Sequence, residues 1–311
     1  MSRSAVYGLY ALLVLIWSST WVAIKFGLED SPPLLGAGVR FALAGLVLLV
    51  FAAIGRRSLR TDWLLAAVLA LAPFAFAYGL VYWGEQHIPS GLAAVLFGVL
   101  PLYTAVLAGI FLPEEPLRAR LVFGVCVAIG GLALAFAESL ELGDDDLALA
   151  GAAALALSPL GAAVGQIGQK LRAAQLDAVV LNGWGMLGGG VLLLAASAVG
   201  ESWGEFAWTP ESVGSILYLA ILGSAVTFVA LTVLLRYLTA QAMSFLAMLL
   251  PFGALVFGSV LYDETITWRA LAGAGLVAGG LLIAQTRRPA APEQEPAAAL
   301  ATAGPSRGAS R

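Results

Sequence analysis

Charge is what this sequence has least of. Only 11% of its 311 residues are Asp, Glu, Lys or Arg, against about 25% in soluble domains. So few charges cannot cover a water-facing surface, which excludes an ordinary soluble domain. A single cysteine, Cys126, excludes an intramolecular disulfide. A single histidine, His87, excludes a histidine metal cluster. His87 also falls in a short linker and not at mid-membrane depth, which argues against a Ser/His intramembrane hydrolase. The glycines sit in no strand-turn-helix phosphate loop, so nucleotide binding has no support. The expectation is therefore no catalytic residue, no metal, no cofactor and no nucleic-acid partner.

What is present is apolar: 60% of the residues are hydrophobic, and the mean hydropathy is +0.93. Lipid is the natural solvent for such a surface. The long apolar runs show no sustained period-two alternation, and a helix needs about 20 residues to span the hydrocarbon core. Ten helices are predicted, over 5–27, 34–54, 63–84, 88–112, 119–137, 147–169, 176–199, 213–236, 239–262 and 269–286. The first run extends from Ala5 to Phe26, longer than the apolar stretch of a cleaved leader. The Ala/Pro/Gly-rich segment after Arg288 reads as a disordered cytoplasmic tail, 287–311.

Basic residues test this count. With Arg3 inside, the inner segments carry Arg56, Arg57, Arg60, Arg118, Arg120, Lys170, Arg172, Arg236, Arg287 and Arg288. The acidic runs Glu138–Asp146 and Glu201–Glu211 fall outside. The pattern predicts an even number of spans with both termini cytoplasmic, in the cell membrane of a bacterium.

The two halves resemble each other at an offset of 145–150 residues, reading down the chain. Gly38 and Gly45 match Gly183 and Gly190, and Leu96 to Pro101 matches Leu246 to Pro251. Glu115, Arg120, Gly124 and Gly130-Gly131-Leu132 match Glu264, Arg269, Gly273 and Gly279-Gly280-Leu281. Five helices per half is an odd number, which forces the second half upside down relative to the first. The predicted fold is thus an all-α polytopic membrane protein of two inverted five-helix repeats. Its boundaries are 1–137 for the first repeat, 138–146 for an outer linker and 147–286 for the second repeat. Inverted repeats mark secondary transporters that rock around a central site.

Several motifs carry a family resemblance. They are Trp17-Ser18-Ser19-Thr20-Trp21 leading to Lys25, Arg40-Phe41, Ile88-Pro89-Ser90-Gly91-Leu92, Pro101, and Glu115 before a Gly-rich helix. The second half repeats the last of these with Pro251, Glu264 and Gly279-Gly280. On these residues the chain resembles the EamA-type branch of the drug/metabolite transporter superfamily, up to about Arg288. The resemblance implies membrane transport of a small solute, often as export, and leaves the solute open. Helix six has only Leu157-Ser158-Pro159 where helix one has its Trp-Ser-Ser-Thr-Trp motif, so the halves differ where a cavity would be lined.

The candidate cavity residues are Trp17, Ser18, Ser19, Trp21, Tyr78, Tyr82, Gln166, Thr227 and Ser244. Trp17, Trp21 and Lys25 share a helix face by their spacing of four, as do Tyr78 and Tyr82. An outer aromatic belt is the competing reading for Trp21 and Tyr82. Pro101 and Pro251 lack an N–H and free a carbonyl four residues back, which suits a hinge. Arg40 and Glu85 can meet as an outer gate, while Lys25 reads as snorkelling to the interface. No acid falls at a midplane position, which disfavours coupling through a buried carboxylate. Gln169, Asn182 and Gln241 complete the polar set, with helix–helix contacts as the competing reading for all of it.

The expected activity is alternating-access secondary transport, as an exporter, of an amino acid, amine or heteroaromatic metabolite. The partners are that solute and the bilayer, and the chain is a monomer or homodimer. The alternative is a facilitative channel or a membrane scaffold.

Overall fold

A computed structural model describes residues 1–135, 137, 146–253 and 267–285. The described residues are helical, with no strand among them. Seven helices are long and apolar enough to cross a membrane: α1 (Arg3–Glu29), α2 (Pro33–Ile54), α3 (Trp63–Glu85), α4 (Leu92–Phe111), α6 (Asp146–Arg172), α7 (Ala178–Gly200) and α8 (Pro210–Leu234). Three apolar helices are shorter: α5 (Ala119–Ala135), α9 (Ala240–Gly253) and α10 (Trp268–Ala284). Helix starts agree with the sequence to within a few residues. The linker segment 138–145, the expected end of helix nine and the tail lie outside the described residues.

Polar residues begin these helices as capping chemistry requires, because the first N–H groups lack intrahelical acceptors. Ser2, Asp62, Asp177, Thr209 and Thr239 each accept a backbone N–H from the first turn that follows. Asp62 also pairs with Arg172 at 2.6 Å, and Asp177 with Arg57 at 3.1 Å. The Arg172 hydrogen bond, aided by the Leu65 N–H, holds the Asp62 carboxyl below the usual carboxylate range. Burial pushes Asp177 up, but Arg57 and the Val179 and Val180 N–H groups leave it lowered overall.

Glycines let two helix pairs approach to backbone contact. In α2 and α7, a side chain at Gly45 would strike the Gly183 carbonyl and Leu187 backbone, and one at Gly190 would strike the Gly38 carbonyl and Ala42 backbone. In α5 and α10, Gly124 faces the Gly280 carbonyl and Gly280 faces the Gly124 carbonyl. Gly131 and Gly273 are related in the same way. Both pairs run antiparallel, since lower numbers on one helix meet higher numbers on the other.

Two helices widen partway along. α3 is a π-helix over Ala70–Ala77, around Pro73, and α8 over Ile221–Val226. Proline removes an i→i−4 hydrogen bond, and an added residue in the turn accommodates that loss in α3. Gly165 of α6 leaves room for the Pro73 ring, which a side chain there would strike.

Candidate functional site

The bends and widened turns converge on one internal cavity. Its wall comes from α1 (Trp17, Thr20, Trp21, Ile24), α3 (Pro73, Ala77, Tyr78, Val81) and α4 (Phe97, Leu100). α6 adds Ala162, Gly165, Gln166 and Gln169; α8 adds Phe228 and Leu231; α9 adds Leu250. About 70 Å³ is open to the centre of a water molecule, several times the roughly 10–15 Å³ that one buried water needs. The surfaces are mainly apolar, with five aromatic side chains, Trp17, Trp21, Tyr78, Phe97 and Phe228, among them. Trp17 meets Phe228 edge-on at 5.3 Å, Trp21 meets Phe97 at 5.7 Å, and Tyr78 meets Phe228 at 6.0 Å. Such edge-to-face sets hold their rings in fixed orientations.

The π turn in α8 organises the polar side of this wall. The Gly223 carbonyl accepts from Trp17 Nε1 at 3.2 Å, from Arg40 Nη2 at 3.2 Å and from Thr227 Oγ1 at 2.9 Å. Arg40 is fully buried. Its Nε donates to Ser224 Oγ at 2.9 Å and its Nη1 to Tyr82 Oη at 3.2 Å. Its guanidinium lies 4.9 Å from the Tyr78 ring centre and 5.0 Å from that of Phe41. Stacking plus three neutral acceptors replaces part of the hydration this charge has lost.

The Arg40–Glu85 gate pair expected from the sequence is not formed. Arg40 turns toward Ser224, Tyr82 and Gly223, and both carboxylate oxygens of the fully buried Glu85 lack a hydrogen-bond partner. Lys25 does not only snorkel, since its Nζ reaches the Glu85 backbone carbonyl at 3.2 Å. Tyr82 is no belt residue: it is buried, and its hydroxyl serves Arg40.

The other sequence candidates divide clearly. Trp17, Trp21, Tyr78 and Gln166 line the cavity, and Gln166 Oε1 is buried without a partner. Ser18, Ser19, Tyr82, Thr227 and Ser244 do not line it. Ser18 points at Gly253 of α9, and its hydroxyl is unpartnered. Ser19 bonds the Ile16 carbonyl at 2.7 Å and Tyr218 Oη at 2.5 Å. Thr227 and Ser244 donate back to carbonyls of their own helices. Pro101 and Pro251 stay behind the wall while the leucine before each, Leu100 and Leu250, faces in. Helix geometry is interrupted at Gly98–Val99 before Pro101 and at Phe245 before Pro251.

Sequence reasoning missed Phe228, Pro73 and Thr20. Pro73 was the available signal, as a proline deep inside an apolar run. Gln169 lines the cavity and also makes the helix–helix contact that the competing reading expects: it accepts from Thr232 at 2.5 Å, and Thr232 in turn accepts from Asn182 at 2.7 Å.

Outside the cavity, Glu115 is buried against the start of α9. Its two carboxylate oxygens accept the Ala240 and Gln241 N–H groups at 3.0 and 3.1 Å, at the start of α9. A carboxylate on a helix N-terminus is favoured by both hydrogen bonds and dipole. At the same end Lys170 Nζ donates to the Leu235 and Leu238 carbonyls at 2.9 and 2.8 Å.

A bundle of long apolar helices around a cavity lined in part by aromatic rings defines a polytopic membrane protein. The EamA-like transporter family model matches residues 5–137 and again 149–286. The chain belongs to the EamA-like transporter family, within the drug/metabolite transporters, and is a multi-pass inner-membrane protein. It is similar to an uncharacterized transporter, YoaV, of Bacillus subtilis, 29% identical and covering 87% of this chain and 93% of that one. The uncharacterized inner membrane transporter YedA of Escherichia coli is 31% identical over 85% of this chain and 86% of its own. A probable amino-acid metabolite efflux pump of Salmonella typhimurium is 28% identical over 88% of this chain and 92% of its own. A solved structure with a TM-score of 0.75 covers 91% of this chain and 97% of its own at 19% identity, a likeness of fold.

Proposed function

We propose that this chain exports a small, partly aromatic metabolite (an amino acid, amine or heteroaromatic compound) by alternating access through ten spans. The observation that carries the reading is the cavity among the helices, with Trp17, Trp21, Tyr78, Phe97 and Phe228 in its wall and Gln166 and Gln169 as polar groups. The kinship to an amino-acid metabolite efflux pump supports the solute class.

In this reading the chain is two inverted repeats, 1–137 and 147–286, with both termini cytoplasmic. The glycine contacts support it. Exchanging Gly38 and Gly45 with Gly183 and Gly190 turns the Gly45–Gly183 contact into Gly190–Gly38. The same exchange turns Gly124–Gly280 into Gly273–Gly131. Such interchange is what a two-fold axis between antiparallel equivalents produces. The two π turns, in the third and eighth helices, fall at matching places as well. Trp17, Trp21, Tyr78 and Gln166 contact the solute, and Leu100-Pro101 and Leu250-Pro251 act as paired hinges. Arg40 orders the outer gate, and Ser18, Ser19, Tyr82, Thr227 and Ser244 support the wall.

Counterflow in proteoliposomes tests the activity, with radiolabelled phenylalanine, phenethylamine and adenine as probes. Saturable exchange of one of them is expected. Linear, non-exchanging flux would replace the carrier with a channel, and no flux of any probe would sink this solute class. For the topology, cysteines at Arg57 and Gly204 in a Cys126→Ser background should label from opposite sides; same-side labelling overturns the inverted arrangement.

A further inference from the structure

We propose that Glu85 is a proton-binding site through which transport is coupled to a pH gradient. The proposal rests on the transporter reading above and adds the coupling ion and its carrier. No acid falls at a midplane position, which in the sequence disfavours coupling through a buried carboxylate. Glu85 at the end of α3 nevertheless has no exposed surface, and neither carboxylate oxygen has a hydrogen-bond partner. An ionised carboxylate buried without a partner is strongly disfavoured, because it has lost its hydration and gained no compensating bond. Ionised, Glu85 is therefore unsatisfied in this conformation, which marks a group whose partner is supplied in another one.

The surroundings name that partner. The charged and titratable groups facing Glu85 are Lys25 from α1, Arg40 from α2 and Tyr82 one turn back on α3. The nearby segments Leu92–Phe97 of α4 and Gly151–Leu155 of α6 contain no ionisable residue. Lys25 Nζ sits 3.2 Å from the Glu85 backbone carbonyl, within a side-chain rotation of its carboxylate. Lys25 follows the cavity residue Ile24, and Glu85 lies four residues beyond the cavity residue Val81. One state has Glu85 ionised and paired with Lys25. In the other an O–H bond forms on a Glu85 oxygen, with the proton drawn from water on one side, and Lys25 is released. The proton leaves to water on the other side when the cavity has turned. Because both residues are continuous with the cavity wall, their pairing shifts the wall with it.

Two measurements test this. Dicyclohexylcarbodiimide, which attacks protonated carboxyls in apolar surroundings, should label wild-type protein at Glu85 by peptide mass, and less as pH is raised. An unlabelled or pH-independent Glu85 overturns the proposal whether or not any solute is transported. In the proteoliposomes, an imposed pH gradient should drive accumulation of whichever probe exchanges. Glu85→Gln should keep counterflow but lose that accumulation to the equilibrium level, and Glu85→Asp should retain part of it. Gradient-driven accumulation by Glu85→Gln overturns the proposal, as does gradient-insensitive transport by the wild type. Labelled Glu85 with no counterflow would remove the transporter reading alone. Should Glu85→Gln fail to fold, by size exclusion, Lys25→Gln serves as the second variant: it keeps counterflow, and unaltered gradient dependence overturns the pairing.

Discussion

The glycine seams and the cavity are built from similar apolar sequence and behave as opposites. At the α2/α7 and α5/α10 seams, backbone meets backbone. Around the cavity, by contrast, Ser18, Glu85 and Gln166 hold buried polar atoms without partners. Most buried polar groups in proteins are satisfied; Gln166 at the cavity and Ser18 and Glu85 near it are exceptions, as are Thr61, Thr104, Asn182 and Gln241 elsewhere. The seams close helix on helix, whereas the cavity leaves open space between helices.

The comparison breaks first if a seam tolerates bulk. Gly124→Val places methyl groups on the Gly280 carbonyl and the Ala284 backbone. Overpacking costs about 1–3 kcal/mol where neighbours can shift, and here the neighbour is backbone. Loss of a monodisperse peak in size exclusion is expected; a normal peak would show that the seam is not tight.

Next in size is Arg40→Leu. It takes the Arg40 donors from the Ser224 and Tyr82 hydroxyls and one of three donors from the Gly223 carbonyl, at about 1–3 kcal/mol for each group left unpaired. Transport should vanish and the melting temperature fall. Arg40→Lys should recover stability in part but not activity, since an ammonium cannot serve three separated acceptors and stack on Tyr78. Equal activity of the lysine variant would deny Arg40 its organising role.

Trp17→Ala should remove transport while the protein still inserts and elutes normally, because the ring faces open space on one side. The thermal cost should stay below the roughly 3–5 kcal/mol of a core aromatic deletion. Leucine at Pro101 or Pro251 should slow exchange with little change in melting. Full exchange rates in both would reduce the prolines to passive bends.

The smallest effect is expected outside both regions. Arg57→Ala removes an exposed pair worth about 0–1 kcal/mol. The folded-state values of Asp62 and Asp177 are depressed, so their contribution is present above the unfolded value of about 3.9 and is lost as pH falls through the folded value. Melting in detergent should thus drop on acidification below that range, less so in Arg57→Ala. A variant that melts as steeply as wild type would show the pair contributes nothing.

Much of the frame was legible in the residues. Helix positions followed from the apolar runs, whereas the capping roles of Asp62, Asp177 and Thr239 and the pairing of the matched glycines across α2/α7 and α5/α10 came from the structure. The site was legible in part. Trp17, Trp21, Tyr78 and Gln166 line the cavity, while Ser19, Thr227 and Ser244 turned to local carbonyls. Hydroxyls within a helix commonly satisfy themselves this way, and spacing alone cannot tell that from pointing inward. In a chain dissolved in lipid, the outer and inner faces of a helix are both apolar, so periodicity does not say which aromatic faces the cavity. Arg40 was placed by depth alone, and its acceptors come from a turn whose shape no local motif announced.

That kind of turn has a directional consequence in α3. An α-helix advances about 100° per residue, so one residue added over Ala70–Ala77 rotates everything after it relative to everything before. Leu65 and Leu69 pack toward α6 and α7, whereas Tyr78, Val81 and Glu85 look toward α1 and the cavity. Restoring a regular α-helix there by deleting one residue would swing Tyr78 and Glu85 off their bearing together, because a single joint aims both.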